Sequence, residues 1–281
     1  MRVARSLLLL LVSLLVVSTG TVVAGAATSP RPIGAVDAVA DTARPAGLTI
    51  KRAKPGLVVT GQRVGFLGTA PKASAGRHAV LQRRVGKRGA WVVVARPKVA
   101  SNGTIATKAG STGVGTNSWR LTLKTGRTTL VSPVVTHRVY GWFFLADRDP
   151  VQSVRFTEDS VRIGGKSHPK SVRNSYDFWW ESEPWAEWNL SYRCVRFEAE
   201  IGLTDDSVSD GQVGFVAALD GAQTDFGTKT IGLPTHVSLD TTGRLRLRLT
   251  DQYVSGPTGS GQGYFWGAWG SARVLCAGDP G

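Results

Sequence analysis

The stretch Arg244-Leu245-Arg246-Leu247-Arg248-Leu249 alternates charge and hydrocarbon with a period of two. Only an extended strand sends every second side chain to the same face, so the run demands a β-sheet with one face on a core and the other in water. The same period returns in residues 194–201, where Val195, Phe197, Ala199 and Ile201 share one face and Arg196, Glu198 and Glu200 the other. It returns again in residues 212–219, with Val213, Phe215, Ala217 and Leu219 in phase. Asp220-Gly221 closes that run with a hairpin signal. Residues 140–147, 161–166 and 272–276 read as further strands, Trp142 belonging to the core. No helical stripe competes, which makes this half an all-β domain of two packed sheets.

Earlier in the chain, short apolar runs recur at roughly ten-residue spacing between Gly and Pro turns. They are Leu57-Val58-Val59, Val64-Gly65-Phe66, Ala79-Val80-Leu81, Trp91-Val92-Val93-Val94, Trp119-Arg120-Leu121-Thr122-Leu123, and Leu130-Val131 with Val134-Val135. Val85-Gly86-Lys87-Arg88-Gly89-Ala90 reads as a hairpin turn. This pattern predicts a second β-sandwich.

The two halves differ in charge. Residues 48–139 hold 17 Lys or Arg and no Asp or Glu, while residues 140–281 hold 13 Lys or Arg against 18 Asp or Glu. The formal net charge of +14 therefore belongs almost wholly to the first half. Such asymmetry argues for two domains and an anionic partner of the first, such as a cell-wall polymer; the alternative is a basic surface that only maintains solubility. The cations look scattered, and Phe66, Trp91 and Trp119 sit within apolar strands rather than between basic residues. Specific nucleic-acid recognition is not expected.

Arg2 and Arg5 precede an apolar run over residues 6–17, and Ala24-Gly25-Ala26 follows as a small-x-small cleavage signal. Residues 1–27 read as a secretory signal peptide, cut after Ala26 or Ala27. Residues 28–47 read as a flexible linker, 48–139 as the basic domain and 140–281 as the second domain. No later run approaches ~18 apolar residues, so no transmembrane segment is expected. The product is expected to be secreted and associated with the cell wall. Cys194 and Cys276 are the only cysteines, and in an exported chain they predict a disulfide. One detail resists: Cys194 is out of phase with Phe197, which demands a bulge or a bond on the outer face.

Aromatic rings and carboxylates crowd residues 176–188, where Trp179, Trp180, Trp185 and Trp188 stand with Glu181, Glu183 and Glu187. A second aromatic set, Tyr264, Phe265, Trp266 and Trp269, falls in a later loop. Sugars offer apolar ring faces and outward hydroxyls, which suit aromatic platforms flanked by carboxylates. Trp179, Trp180, Trp185, Trp188, Tyr264, Trp266 and Trp269, with Glu181 and Glu183, are the candidate ligand-binding residues. The opposing reading makes the rings core or end-plug residues, since Trp is usually buried.

Glycosidases use a carboxylate pair, but Glu181, Glu183 and Glu187 lie together in one loop and read as a solvated rim. No Ser-His-Asp set or Cys nucleophile stands out, and His168 and His236 read as loop residues. His78 and His137 are isolated. The acidic turn at residues 205–211 lacks the alternating oxygen ligands of a dedicated Ca²⁺ loop. The chain is therefore expected to be non-catalytic, without cofactor or metal.

Residues 78–105, HAVLQRRVGKRGAWVVVARPKVASNGTI, resemble the immunoglobulin-like modules common in exported bacterial proteins. In the second half, FLADRDPVQS, RIGGKSHPKSV, YRCVRFEAEIGLTDDS, GQVGFVAALDG, LRLRLTD and WGSARV follow in an order that resembles the novel putative carbohydrate-binding module family. That resemblance implies a jelly-roll sandwich related to galactose-binding-like domains, in which the acidic turn is mainly structural. The full expectation is an immunoglobulin-like β-sandwich followed by a jelly-roll β-sandwich, binding polysaccharide or cell-surface glycan. Its rivals are an extracellular structural or protein-interaction module that binds no sugar, and a glycoside-acting enzyme.

Overall fold

A computed structural model describes residues 47–54, 56–175, 183–256 and 264–281. Nearly every element is a strand. The first group comprises β1 (Thr49–Arg52), β2 (Val58–Val59), β3 (Arg63–Thr69), β4 (Val80–Val85), β5 (Val92–Ala95), β6 (Thr104–Gly110), β7 (Gly115–Thr125), β8 (Thr128–Val131) and β9 (Val135–Phe144). β1, β3 and β6 make one sheet, which faces a second built on β9, β7, β4 and β5. Val64, Phe66 and Ile105 from the first sheet meet Leu81, Trp119 and Leu121 from the second in one buried cluster. The Phe66 and Trp119 rings lie 4.6 Å apart. Each fully buried large side chain of this kind contributes about 1.5–3 kcal/mol.

The second group comprises β10 (Gln152–Val154), β11 (Phe156–Ile163), β12 (Lys166–Asn174), β13 (Trp185–Asn189), β14 (Cys194–Leu203), β15 (Gln212–Leu219), β16 (Ala222–Lys229), β17 (Thr235–Leu239), β18 (Arg246–Ser255) and β19 (Gly267–Cys276). One sheet has the order β10-β13-β18-β15-β16, and the opposing one joins β11, β12, β19, β14 and β17. Leu247, Leu249, Val213, Phe215 and Ala217 from the first pack on Phe197, Ile201, Trp269 and Val274 from the second. Every pair in these ten strands is antiparallel. Among the described residues no helix is long and apolar enough to cross a membrane.

Strand β9 serves both groups. Val135 to Val139 pair with β7, and Gly141 to Phe144 pair with β19. The expected boundary between residues 139 and 140 thus falls inside a continuous strand, with no linker there. Trp142, expected in the core, is only half-buried, with the Arg273 guanidinium 4.3 Å over its ring. Its neighbour in the register is Leu275, and the strand's alternation turns the indole outward.

Cys194 and Cys276 form the disulfide, as directly opposed partners of β14 and β19. Both are buried in the core. The phase problem is resolved by a register shift between Cys194 and Arg196. The extra residue lets Cys194 and Phe197 both point inward, and leaves Val195 only half-buried.

Candidate ligand-binding site

The structure separates the candidate aromatic rings into different roles. Trp179, Trp180 and Glu181 lie outside the described residues. Trp188 shares the inward face of β13 with Ala186 and is 4% exposed. Its Nε1 donates to the Arg148 carbonyl at 3.2 Å. Trp269 is 0% exposed, and its ring meets Phe215 edge-on at 5.4 Å and Phe197 at 6.1 Å. Neither ring offers a face to solvent, so the expectation of a platform at Trp188 and Trp269 is corrected: both are core. Trp269 is no loop residue either, since β19 has begun two positions earlier.

Trp185 turns to the outer face of β13, where Arg248 caps it at 3.9 Å and Glu187 holds that guanidinium through a 3.2 Å contact. Glu183 is exposed just before this strand.

Tyr264 and Trp266 remain as the accessible pair. Tyr264 is 52% exposed and Trp266 half-buried, with centroids 5.9 Å apart and planes inclined by 30°. The acidic turn fixes their position. Thr204 N–H donates to Trp266 O, Val208 N–H to Tyr264 O, and Trp266 N–H to Ser207 Oγ. Thr204 and Ser207 hydroxyls meet at 3.1 Å and complete the turn. Between the pair, Phe265 points inward over Gly211, where an added Cβ would come within 2.5 Å of its ring. The glycine lets the turn close over Phe265 while its two neighbours face out.

Beside Trp266 opens a cavity of about 420 Å³ lined by Asp159, Arg162, Arg173, Thr204, Asp205 and Asp206. The Arg173 guanidinium sits 5.4 Å from the Trp266 centroid and donates through Nε to Asp159 Oδ2 at 2.8 Å. Asp205 Oδ2 accepts from Gly165 N–H at 2.9 Å, with Arg162 Nε 3.7 Å away. The groups are therefore prepositioned by one another, and Asp206 is exposed on the wall. A stacked aromatic pair next to fixed carboxylates and guanidiniums can grip a polar ligand that has one apolar face. The acidic turn and the aromatic segment are each legible in the sequence as separate features. Their contact is not, because it depends on pairing between elements some 60 residues apart. Among the described residues no group of three His, Cys, Asp or Glu is arranged to hold a metal ion.

Two further polar features escaped the sequence. Asp251 follows the Arg/Leu alternation on the inward face of β18 and is wholly buried. Trp269 Nε1 donates to its Oδ1 at 2.8 Å. Burial pushes its carboxyl up to about 7, against the opposing influence of hydrogen bonds from Trp269 and the Asn174 backbone. On the outer face of the other sheet, His168 and His236 stand on strands β12 and β17, not in loops. His168 Nδ1 lies 3.1 Å from Ser271 Oγ, and Glu200 Oε1 lies 3.1 Å from His236 Nδ1. Ser271 has a left-handed backbone, φ 51°, beside a register shift between Glu198 and Glu200. His168 Nε2 is buried and has no hydrogen-bond partner among the described residues.

No family model matches the chain, and a search of curated proteins returns no match.

Proposed function

We propose that the chain is a secreted, non-catalytic carbohydrate-binding protein, its second half a jelly-roll module that holds a glycan against Tyr264 and Trp266. The single observation that carries this reading is the Tyr264–Trp266 pair standing beside the cavity of Asp159, Arg162, Arg173, Asp205 and Asp206. Arg173 links the two, lining the cavity and lying 5.4 Å from the Trp266 centroid, so a sugar held at the indole would extend towards these carboxylates and guanidiniums. The resemblance to the carbohydrate-binding family and to immunoglobulin-like modules points the same way, as does the disulfide, which suits an oxidising compartment. Association with a cell wall is part of the same proposal.

The test uses the intact chain, because cutting at residue 140 would sever β9. Retention on a panel of insoluble polysaccharides and cell walls is measured for the natural sequence, Trp266→Ala and Asp205→Asn. The reading expects saturable retention by at least one polysaccharide, weakened about tenfold or more in Trp266→Ala, equivalent to ~1.4 kcal/mol. Retention that survives both substitutions unchanged, or none across the panel, overturns it.

A further inference from the structure

The basic residues of the first half, scattered in the sequence, are gathered by the fold. Arg52, Lys54, Arg63 and Lys108 surround one cavity of about 420 Å³, completed by Leu57, Gln62 and Gly65. The reason lies in the register of the three-stranded sheet. Gly65 pairs with Lys108, and Arg63 with Gly110, so these residues stand on the outer face, opposite the buried Val64 and Phe66. Gly65 provides a floor without a side chain, and Ala53 lies across it, 3.1 Å from where a Cβ would be. The chain leaving β1 then carries Arg52 and Lys54 along the rim.

Among the described residues no carboxylate pairs with these cations. Residues 48–139 contain no Asp or Glu, and among the described residues the donors engage neutral acceptors. Arg52 Nη2 donates to Gly56 O at 3.1 Å, and Arg63 Nη2 to Lys108 O at 3.4 Å. Arg52 Nε is buried and has no hydrogen-bond partner among the described residues. Gln62 Oε1 is occupied by Val59 N–H at 3.1 Å, which leaves its amide NH₂ as a neutral donor. The positive track also runs past the cavity. Lys51 lies on the same outer face, at β1.

We propose that this cavity is an anion-binding site that takes the phosphate groups of an anionic polymer. Guanidiniums pair with phosphate oxygens through forked, charge-assisted hydrogen bonds, and lysines add point charge. The track of five cations favours an extended polyanion over an isolated anion, because an adjacent phosphate engages Lys51 as the first occupies the cavity. The site is separate from the aromatic one and independent of it.

The experiment measures binding of inorganic polyphosphate to the intact chain at ~0.1 M salt, where charges more than about 10 Å away are screened. Three proteins are compared: the natural sequence, Arg63→Ala/Lys108→Ala, and Lys98→Ala/Arg127→Ala, the last removing two exposed cations that do not line the cavity. All four residues are exposed, so unchanged melting temperatures are expected. The proposal predicts at least about tenfold weaker binding in the first variant and less than about twofold in the second. Equal weakening by both pairs would reduce the effect to diffuse charge and overturn it. So would absence of binding, a preference for poly-glutamate over polyphosphate, or binding to anionic phospholipid vesicles but not to polyphosphate.

Discussion

Asp251→Asn is the substitution whose consequence follows most directly from the structure. The carboxyl is fully buried between Trp269, Gly267 and the Asn174 backbone. Its pKa is raised from 3.8 to about 7. Between these values the folded chain holds a proton that the unfolded chain has released. Stability therefore falls as pH rises from about 4 to 7, by ~1.4 kcal/mol per unit and about 4 kcal/mol in all. An asparagine keeps the acceptor for Trp269 Nε1 and does not titrate.

The opposite trend runs through the same window at His137. Burial and the charge of Arg52 push it down to about 4, so its contribution is present above 6.5 and lost as pH falls towards 4. His168 shifts in the same direction, through burial and Lys166. The natural protein's profile sums these opposed slopes; the difference between variant and natural protein isolates Asp251. Urea unfolding at several pH values from about 4 to 8 measures that difference. Asp251→Asn should gain about 4 kcal/mol relative to the natural sequence across the range and level off above about pH 7. A difference that stays flat would refute the reasoning, since it would mean that Asp251 ionises as freely folded as unfolded.

Other predictions concern the core and its closures. Trp269→Ala should cost about 3–5 kcal/mol in urea unfolding, while Trp185→Ala on the outer face should cost no more than about 1 kcal/mol. Replacing both Cys194 and Cys276 with Ala should destabilise the chain by roughly 4 kcal/mol, because the bond closes an 82-residue separation. Gel mobility with and without reductant confirms that the bond is present before unfolding is measured. Asp220 accepts from the backbone N–H groups of Leu245 and Arg246, so Asp220→Ala should cost about 1–3 kcal/mol and speed amide exchange at those two positions.

The period of two in residues 244–249 carried most of what was legible. It gave the inward face of β18 correctly because that strand is central, paired on both sides and covered on one face only. Edge strands left a weaker trace. β16, at the end of its sheet, is mostly exposed and has no apolar face for a pattern to reveal. β6 leaves little trace because its inward positions are Ile105, Thr107 and Ala109, of which Ile105 alone is large and apolar. Trp269 misled for a different reason. The expected loop at Trp269 is a strand, in which Gly267 and Gly270 make room: a Cβ would come within 2.8 Å of Asp251 Oδ2 at the first and of His168 Cγ at the second.

The cavity beside Trp266 and the cation cluster were invisible for one shared reason. Each is assembled by cross-strand register between segments that carry no common local signal. Asp159 reaches Arg173 through the β11–β12 pair, and Lys108 reaches Gly65 through the β3–β6 pair. A residue list can name the charges; only the pairing sets them around one space.

The central claim is that a glycan lies on Trp266. The most direct measurement records the tryptophan indole N–H signals by NMR during titration of the intact chain with soluble fragments of whichever polysaccharide retains it. The account predicts that the Trp266 signal shifts saturably while those of the buried Trp119, Trp188 and Trp269 stay in place. A titration that moves Trp185 or Trp91 and leaves Trp266 unchanged would contradict it.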